Sequence, residues 1–251
     1  MTIMSGKVGL ITGAGQGIGL GIARAFAAAG ANLVITGRTA TKLEAAAADL
    51  AASGAEVVTV CGDVAARGNA AEAVAAALDR FGRVDVLVNN AHVGIINRSI
   101  EELTDEDVDT SLAGLRGTLY FMQCAIPAMK SQGGGKIINF VSRRGLQCMA
   151  GAGAYAASKE GIRALSRVAA RELGTFNIQV NCISPAASSP AAEKFAAENP
   201  ERAKAIRAEM ALGRLGDPER DIGRVALFLA TDMSDYVTGQ TISADGGIVM
   251  L

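Results

Sequence analysis

Residues 8–19 read V-G-L-I-T-G-A-G-Q-G-I-G, and the fold turns on how this stretch is read. Its first five residues form a short apolar run suited to a buried strand, and helical spacing begins at about residue 18 and continues to about 29. Gly13 and Gly17 lie between the two, and Gly19 opens the helical stretch. Gly13 permits a tight turn, while Gly17 and Gly19 let backbone approach a phosphate and the helix approach the sheet. A helix N-terminus placed just there stabilises an anionic pyrophosphate. Strand before and helix after are what raise the glycine pattern above coincidence.

The same alternation continues along the chain. Further apolar, β-rich runs occur at 32–36, 56–60, 84–88, 136–141 and 178–183, with a last short strand near Thr241–Ala244. Alanine-rich stretches with helical spacing fill 40–52, 68–81, 104–130 and 154–173. Parallel strands joined by right-handed helical crossovers follow, hence a single α/β domain over 1–251, a doubly wound Rossmann-type sheet of about seven strands with helices on both faces. One segment departs from the rhythm. Residues 186–215 resemble an insertion, with helix-forming composition at 191–197 and 201–211. Ligands in such sheets bind beyond the carboxyl ends of the strands, so the insertion is either a lid over a substrate site or a surface hairpin that only packs.

Composition narrows the function classes. Lysine and arginine total 24 against 25 acidic residues, a net charge of −1, without a basic stripe, which disfavours nucleic acid as a partner. Cys61, Cys124, Cys148 and Cys182 lie far apart with no C-x-x-C pair, so neither a zinc site nor a disulfide framework is expected, and a reducing cytoplasm fits. No apolar run approaches bilayer length and no signal-type leader is recognised, so no membrane partner is expected.

The second strand ends I-T-G-R, at Gly37 and Arg38. An acidic residue at that tip would accept from the ribose hydroxyls of NAD, whereas a guanidinium pairs bidentately with a 2′-phosphate. Arg38 therefore favours NADP (NADPH) over NAD, unless it only caps solvent-facing surface. Asp63, in the C-G-D-V turn after the third strand, is placed either to accept from the adenine amino group or to make a local backbone hydrogen bond.

The fifth strand leads to Ser142, and Y-A-A-S-K follows with Tyr155 and Lys159 at i and i+4 on one helical face. An adjacent cation favours phenolate and moves a tyrosine pKa of about 10 towards the working range. The serine hydroxyl can donate to a substrate carbonyl oxygen.

Together, T-G-A-G-Q-G-I-G, N-N-A at 89–91, Ser142, Y-A-A-S-K and T-G-Q-T-I-S-A-D-G-G at 238–247 resemble the short-chain dehydrogenases/reductases along nearly the whole chain. The resemblance implies reversible hydride transfer between a nicotinamide and a ketone or secondary alcohol. It assigns substrate orientation to Ser142, proton exchange to Tyr155, and ribose binding with pKa control to Lys159. It extends the cofactor contacts to Gln16, Ile18, Val64 and Asn90, and implies a homotetramer or dimer built on the helices at 104–130 and 154–173 and on the C-terminal segment. No metal is implied.

Several positions depart from the pattern. His92, the only histidine, stands where the family continues N-N-A-G, and Gly114 in G-L-R-G replaces an asparagine that supports a water of the proton relay. His92 is not needed as a base. It either orders water in the asparagine's stead or narrows the pocket, and the steric role is the favoured one. Pro190 replaces a threonine that contacts the carboxamide, with Ser188 or Ser189 as substitutes. Arg143 and Arg144 either meet an anionic substrate or form a solvated pair, and the solvated pair is the favoured one. The expected function is an NADP-dependent carbonyl reductase or alcohol dehydrogenase. The alternative is a dinucleotide-binding regulatory or scaffold protein that has lost turnover, motivated by the missing asparagine.

Overall fold

Strands and helices alternate as expected in the computed structural model, which describes residues 2–92 and 94–250. The strands are β1 (Val8–Thr12), β2 (Asn32–Gly37), β3 (Val57–Cys61), β4 (Val86–Asn89), β5 (Gly135–Phe140), β6 (Ile178–Pro185) and β7 (Thr241–Ala244). All pair in parallel, in the order β3-β2-β1-β4-β5-β6-β7. The order reverses between β1 and β4. The carboxyl ends of those two strands therefore frame the crevice in which such sheets bind ligands.

Helices α1 (Gly17–Ala28), α2 (Ala40–Ala51), α3 (Arg67–Phe81), α4 (Asp105–Ser131), α5 (Arg143–Leu146), α6 (Gly153–Leu173), α7 (Pro190–Glu198), α8 (Pro200–Ala208) and α9 (Arg224–Ala230) complete the chain. On one face of the sheet, Ile22 and Phe26 of α1, Leu43 of α2 and Leu229 of α9 pack into a buried cluster with β1 and β2. On the other, Val74 of α3, Phe121 and Met122 of α4, and Leu173 of α6 do the same. Each such side chain contributes about 1.5–3 kcal/mol by leaving water. Cover on both faces explains why the strands read as unbroken apolar runs rather than alternating ones.

Among the elements not apparent in the sequence, two bear on the site. A π-helical turn over Pro218–Gly223 runs directly into α9, and Asp217 caps it by accepting from the Glu219 and Arg220 amides at 3.0 and 2.7 Å. This turn lies so close to α1 that a Cβ on Gly21 would stand 2.4 Å from the Pro218 carbonyl carbon. The other is α5, a single turn capped by Ser142, whose Oγ accepts from the Arg144 amide at 3.2 Å.

The segment at 186–215 folds as α7 and α8. Ser189 caps α7 by accepting from the Ala192 amide, Ala203 and Met210 are buried, and a bridge between Ala187 and Gly216 closes its base. The second helix ends at Ala208, before the expected boundary at 211. No helix among the described residues is long and apolar enough to cross a membrane.

Candidate active site

The turn from β1 into α1 requires its glycines. Gly13 and Gly17 have φ of 68° and 58°, in the left-handed region that glycine adopts at no steric cost. A Cβ on Gly19 would stand 2.4 Å from the Gly13 carbonyl oxygen. Asn90, after β4, braces the turn through Nδ2, which donates to the carbonyls of Thr12 and Gly13 at 2.9 and 3.4 Å. No acidic side chain occupies the first turn of α1, so its N-terminal amides keep their affinity for an anion. A cleft of about 620 Å³ opens here, and Gly13, Gln16, Gly17, Ile18, Val64 and Asn90 all line it. Gly19 lies behind the wall, where it sets the approach of helix to strand.

The far end of the cleft is cationic. Arg38 is exposed at the tip of β2 and has no ion-pair partner among the described residues. Lys42, in the first turn of α2, lines the same wall, and its Nζ donates to Gln16 Oε1 at 2.6 Å. Sequence reasoning overlooked Lys42, because only the docking of α2 against the glycine turn carries it there. Asp63 also lines the cleft, and its Oδ1 accepts from the Ala65 amide at 2.9 Å. The local turn bond is thus present, with Oδ2 left over.

Ser142, Tyr155 and Lys159 meet beyond the ends of β5 and β6. Lys159 is 4% exposed, and its Nζ donates to the carbonyl of Phe140 at 2.8 Å while standing 5.9 Å from the centroid of the Tyr155 ring. Burial pushes its pKa down to about 7. Burial also raises the Tyr155 pKa, and the groups opposing that rise are the Ser142 hydroxyl and the Arg144 guanidinium.

His92 joins the two regions. It lines the cleft, and its ring meets that of Tyr155 edge to face, with centroids 5.1 Å apart and planes at 76°. Both imidazole nitrogens are shielded from solvent without a hydrogen-bond partner among the described residues. Burial, joined by the charge of Lys159, pushes its pKa down to about 3. A Cβ on Gly114 would stand 1.8 Å from His92 Nδ1, so the imidazole occupies the room that a side chain at 114 would need. The two departures noted in the sequence are one steric exchange.

Around the mouth, Ser188 Oγ donates to Glu193 Oε1 at 2.7 Å and the Ser189 hydroxyl caps α7, so both serines serve the insertion itself. Arg143 and Arg144 do not form a solvated pair. Arg143 reaches Glu209, just after α8, at 3.1 Å, while Arg144 is half-buried without a carboxylate partner among the described residues.

The donor set fits a dinucleotide: a glycine turn without competing acid in the first turn of α1, opening on a cleft of about 620 Å³ lined also by two cations, Arg38 and Lys42. No group of three His, Cys, Asp or Glu side chains able to hold a metal occurs among the described residues. A family model described as enoyl-(acyl carrier protein) reductase matches residues 13–249. The chain is 41% identical to a 12α-hydroxysteroid dehydrogenase of a Clostridium species, over 99% of this chain and 98% of the relative. It is 36% identical to a 3-oxoacyl-(acyl carrier protein) reductase of Chlamydia muridarum, over 98% and 99%. Among solved structures, the L-sorbose reductase of Gluconobacter frateurii complexed with NADPH and L-sorbose superposes with a TM-score of 0.92 at 31% identity, over 100% of both chains. The chain belongs to the short-chain dehydrogenases/reductases. It is an enzyme of that family, an NAD(P)-dependent oxidoreductase acting on carbonyl or alcohol substrates.

Proposed function

We propose that this protein is an NADP(H)-dependent reductase of ketones, or dehydrogenase of secondary alcohols, acting on a medium-sized substrate with a mainly apolar body. The observation that carries the reading is the convergence of Ser142, Tyr155 and Lys159 beside a glycine-turned cleft whose far end holds Arg38 and Lys42. Gly13, Gln16, Gly17, Ile18 and Gly19 would hold the pyrophosphate, Arg38 and Lys42 the 2′-phosphate, Asp63 and Val64 the adenine, and Asn90, Tyr155 and Lys159 the nicotinamide riboside. When bound, the nicotinamide supplies or accepts the hydride. Ser142 Oγ accepts from the Arg144 amide, and its hydroxyl faces the Tyr155 phenol, from where it would donate to the substrate oxygen and polarise the carbonyl. Tyr155 passes its proton to that oxygen in reduction and takes it back in oxidation.

Support for NADP comes from Arg38, which has no ion-pair partner among the described residues, and from the NADPH named for the L-sorbose reductase. Support for an apolar body comes from the hydroxysteroid named for the 41% identical relative. The segment at 186–215 serves as a lid, latched to the catalytic loop by Arg143 and Glu209. The reading extends to a homo-oligomer, dimer or tetramer, supported by the exposed Val168 on α6, and to the cytoplasm, supported by four free cysteines. A second reading, a dinucleotide-binding scaffold with little turnover, draws on the filled space at Gly114.

Fluorescence titration with NADPH and NADH, followed by a panel of ketones, β-keto esters and secondary alcohols run with both cofactors, tests the proposal. Tighter binding of NADPH and turnover with it are expected. Equal affinity for NADH would overturn the Arg38 argument, and binding without turnover across the panel would favour the scaffold.

A further inference from the structure

The cations at the mouth of the site are unequally matched. Arg143 is 16% exposed and neutralised by Glu209 at 3.1 Å. Arg144, one residue on, is half-buried, and its guanidinium has neither a carboxylate within ion-pair distance nor a hydrogen-bond acceptor among the described residues. The charged and titratable groups that act on it are Tyr155, Arg143 and Arg202, with no Asp or Glu among them. Arg202 projects from α8 beside Phe195 of α7, its guanidinium 5.8 Å from the ring centroid, and it too lacks a carboxylate partner among the described residues. A cation kept partly out of water without a counter-ion is costly, and like charges gathered around it add to the cost. An anion placed between the two guanidinium groups would offset both costs.

From these contacts we infer that Arg144, assisted by Arg202 of the lid, forms an anion subsite that grips a carboxylate carried by the substrate. The inference rests on the proposed oxidoreductase reading and adds a chemical class to it: an apolar ketone or alcohol carrying a carboxylate. Arg144 is fixed for the task, because α5 begins at Ser142 and the Arg144 amide is held on Ser142 Oγ. One turn of helix therefore joins the group that orients the carbonyl to the group that holds the anion. Planar guanidinium and planar carboxylate pair bidentately, which sets the angle of approach as well as affinity. Arg202, carried by the insertion, would reach the same anion as the lid settles, so that closure depends on substrate charge.

The test uses levulinate and its longer methyl-ketone homologues, each compared with its own methyl ester, as substrates for the full-length protein with NADPH. For the homologue of best-fitting length, kcat/KM for the acid exceeds that for the ester by about 10- to 100-fold, the range of a charge-assisted pair. Arg144→Gln brings the acid-to-ester ratio close to one, whatever it does to either rate alone, and Arg202→Gln lowers it less. Arg144→Lys retains part of the ratio and guards against a folding defect in the glutamine variant. Esters turned over as well as acids at every chain length would overturn the subsite while leaving the oxidoreductase reading intact, as would a ratio indifferent to Arg144→Gln. Failure of acids and esters alike would overturn both.

Discussion

His92 stands in the space of a missing side chain: a Cβ on Gly114 would lie 1.8 Å from its Nδ1. Gly114→Asn alone therefore forces the imidazole out and overpacks the site, at a cost of about 1–3 kcal/mol. His92→Gly opens a void beside Tyr155. Combined, the two substitutions fit, and the double variant is more stable than the sum of the single effects by about 1 kcal/mol or more in a denaturant-based double-mutant cycle. If His92 serves only as a wall, both singles alter substrate range. Loss of turnover in His92→Gly that Gly114→Asn restores in the double variant would assign a water-ordering role to the imidazole.

The same burial keeps His92 neutral. With its pKa pushed down to about 3, the imidazole stays uncharged throughout the physiological range. As the only histidine, it gives a single pair of ring-proton NMR signals, which should not titrate between about pH 8 and pH 5. Its pKa lies below that of the unfolded chain, so its contribution to stability is present above about pH 6.5 and is lost as the pH falls towards 3. A midpoint near 6.5 in the folded protein would contradict the burial.

Lys159 carries a cost of the same kind, over a different pH window. Its pKa falls from 10.5 to about 7, so the folded state resists protonation that the unfolded chain accepts. Stability contributed by this group is greatest above about pH 10.5 and falls as the pH drops to about 7, below which the whole penalty applies. Lys159→Met should raise the stability of the cofactor-free protein by about 1–3 kcal/mol and abolish turnover. Thermal unfolding at about pH 6 and pH 9 checks the sign, since the advantage of the variant should be larger at the lower pH.

Arg38 and Lys42 make the cofactor preference separable from catalysis. Replacing both by alanine should weaken NADPH binding by about tenfold or more and NADH binding by less than about threefold, measured by fluorescence titration. A parallel loss for both cofactors would place the two cations on the shared pyrophosphate instead.

The sheet was legible because parallel strands covered on both faces are uniformly apolar, and the glycine turn because it lies between a strand and a helix. Tyr155 and Lys159 were legible through helical spacing. The apolar run V-A-L-F-L-A at 225–230 was not recognised as helical, since so short a run does not distinguish a buried strand from a buried helix. Lys42 joins the cleft only through the docking of α2, and the fit of His92 to Gly114 depends on α4 passing the end of β4. Neither follows from local pattern. The unpaired state of Arg144 is likewise invisible without knowing that Glu209 comes back to Arg143 and not to it.

The central claim is that Tyr155 exchanges the proton while the cleft holds NADP(H) mainly through its other contacts, and Tyr155→Phe tests this most directly. Ketone reduction by NADPH and NADPH binding are measured on the same preparation. Turnover should fall by about 10²- to 10⁴-fold while the Kd for NADPH stays within about threefold of the parent. Retained turnover in Tyr155→Phe would contradict the account.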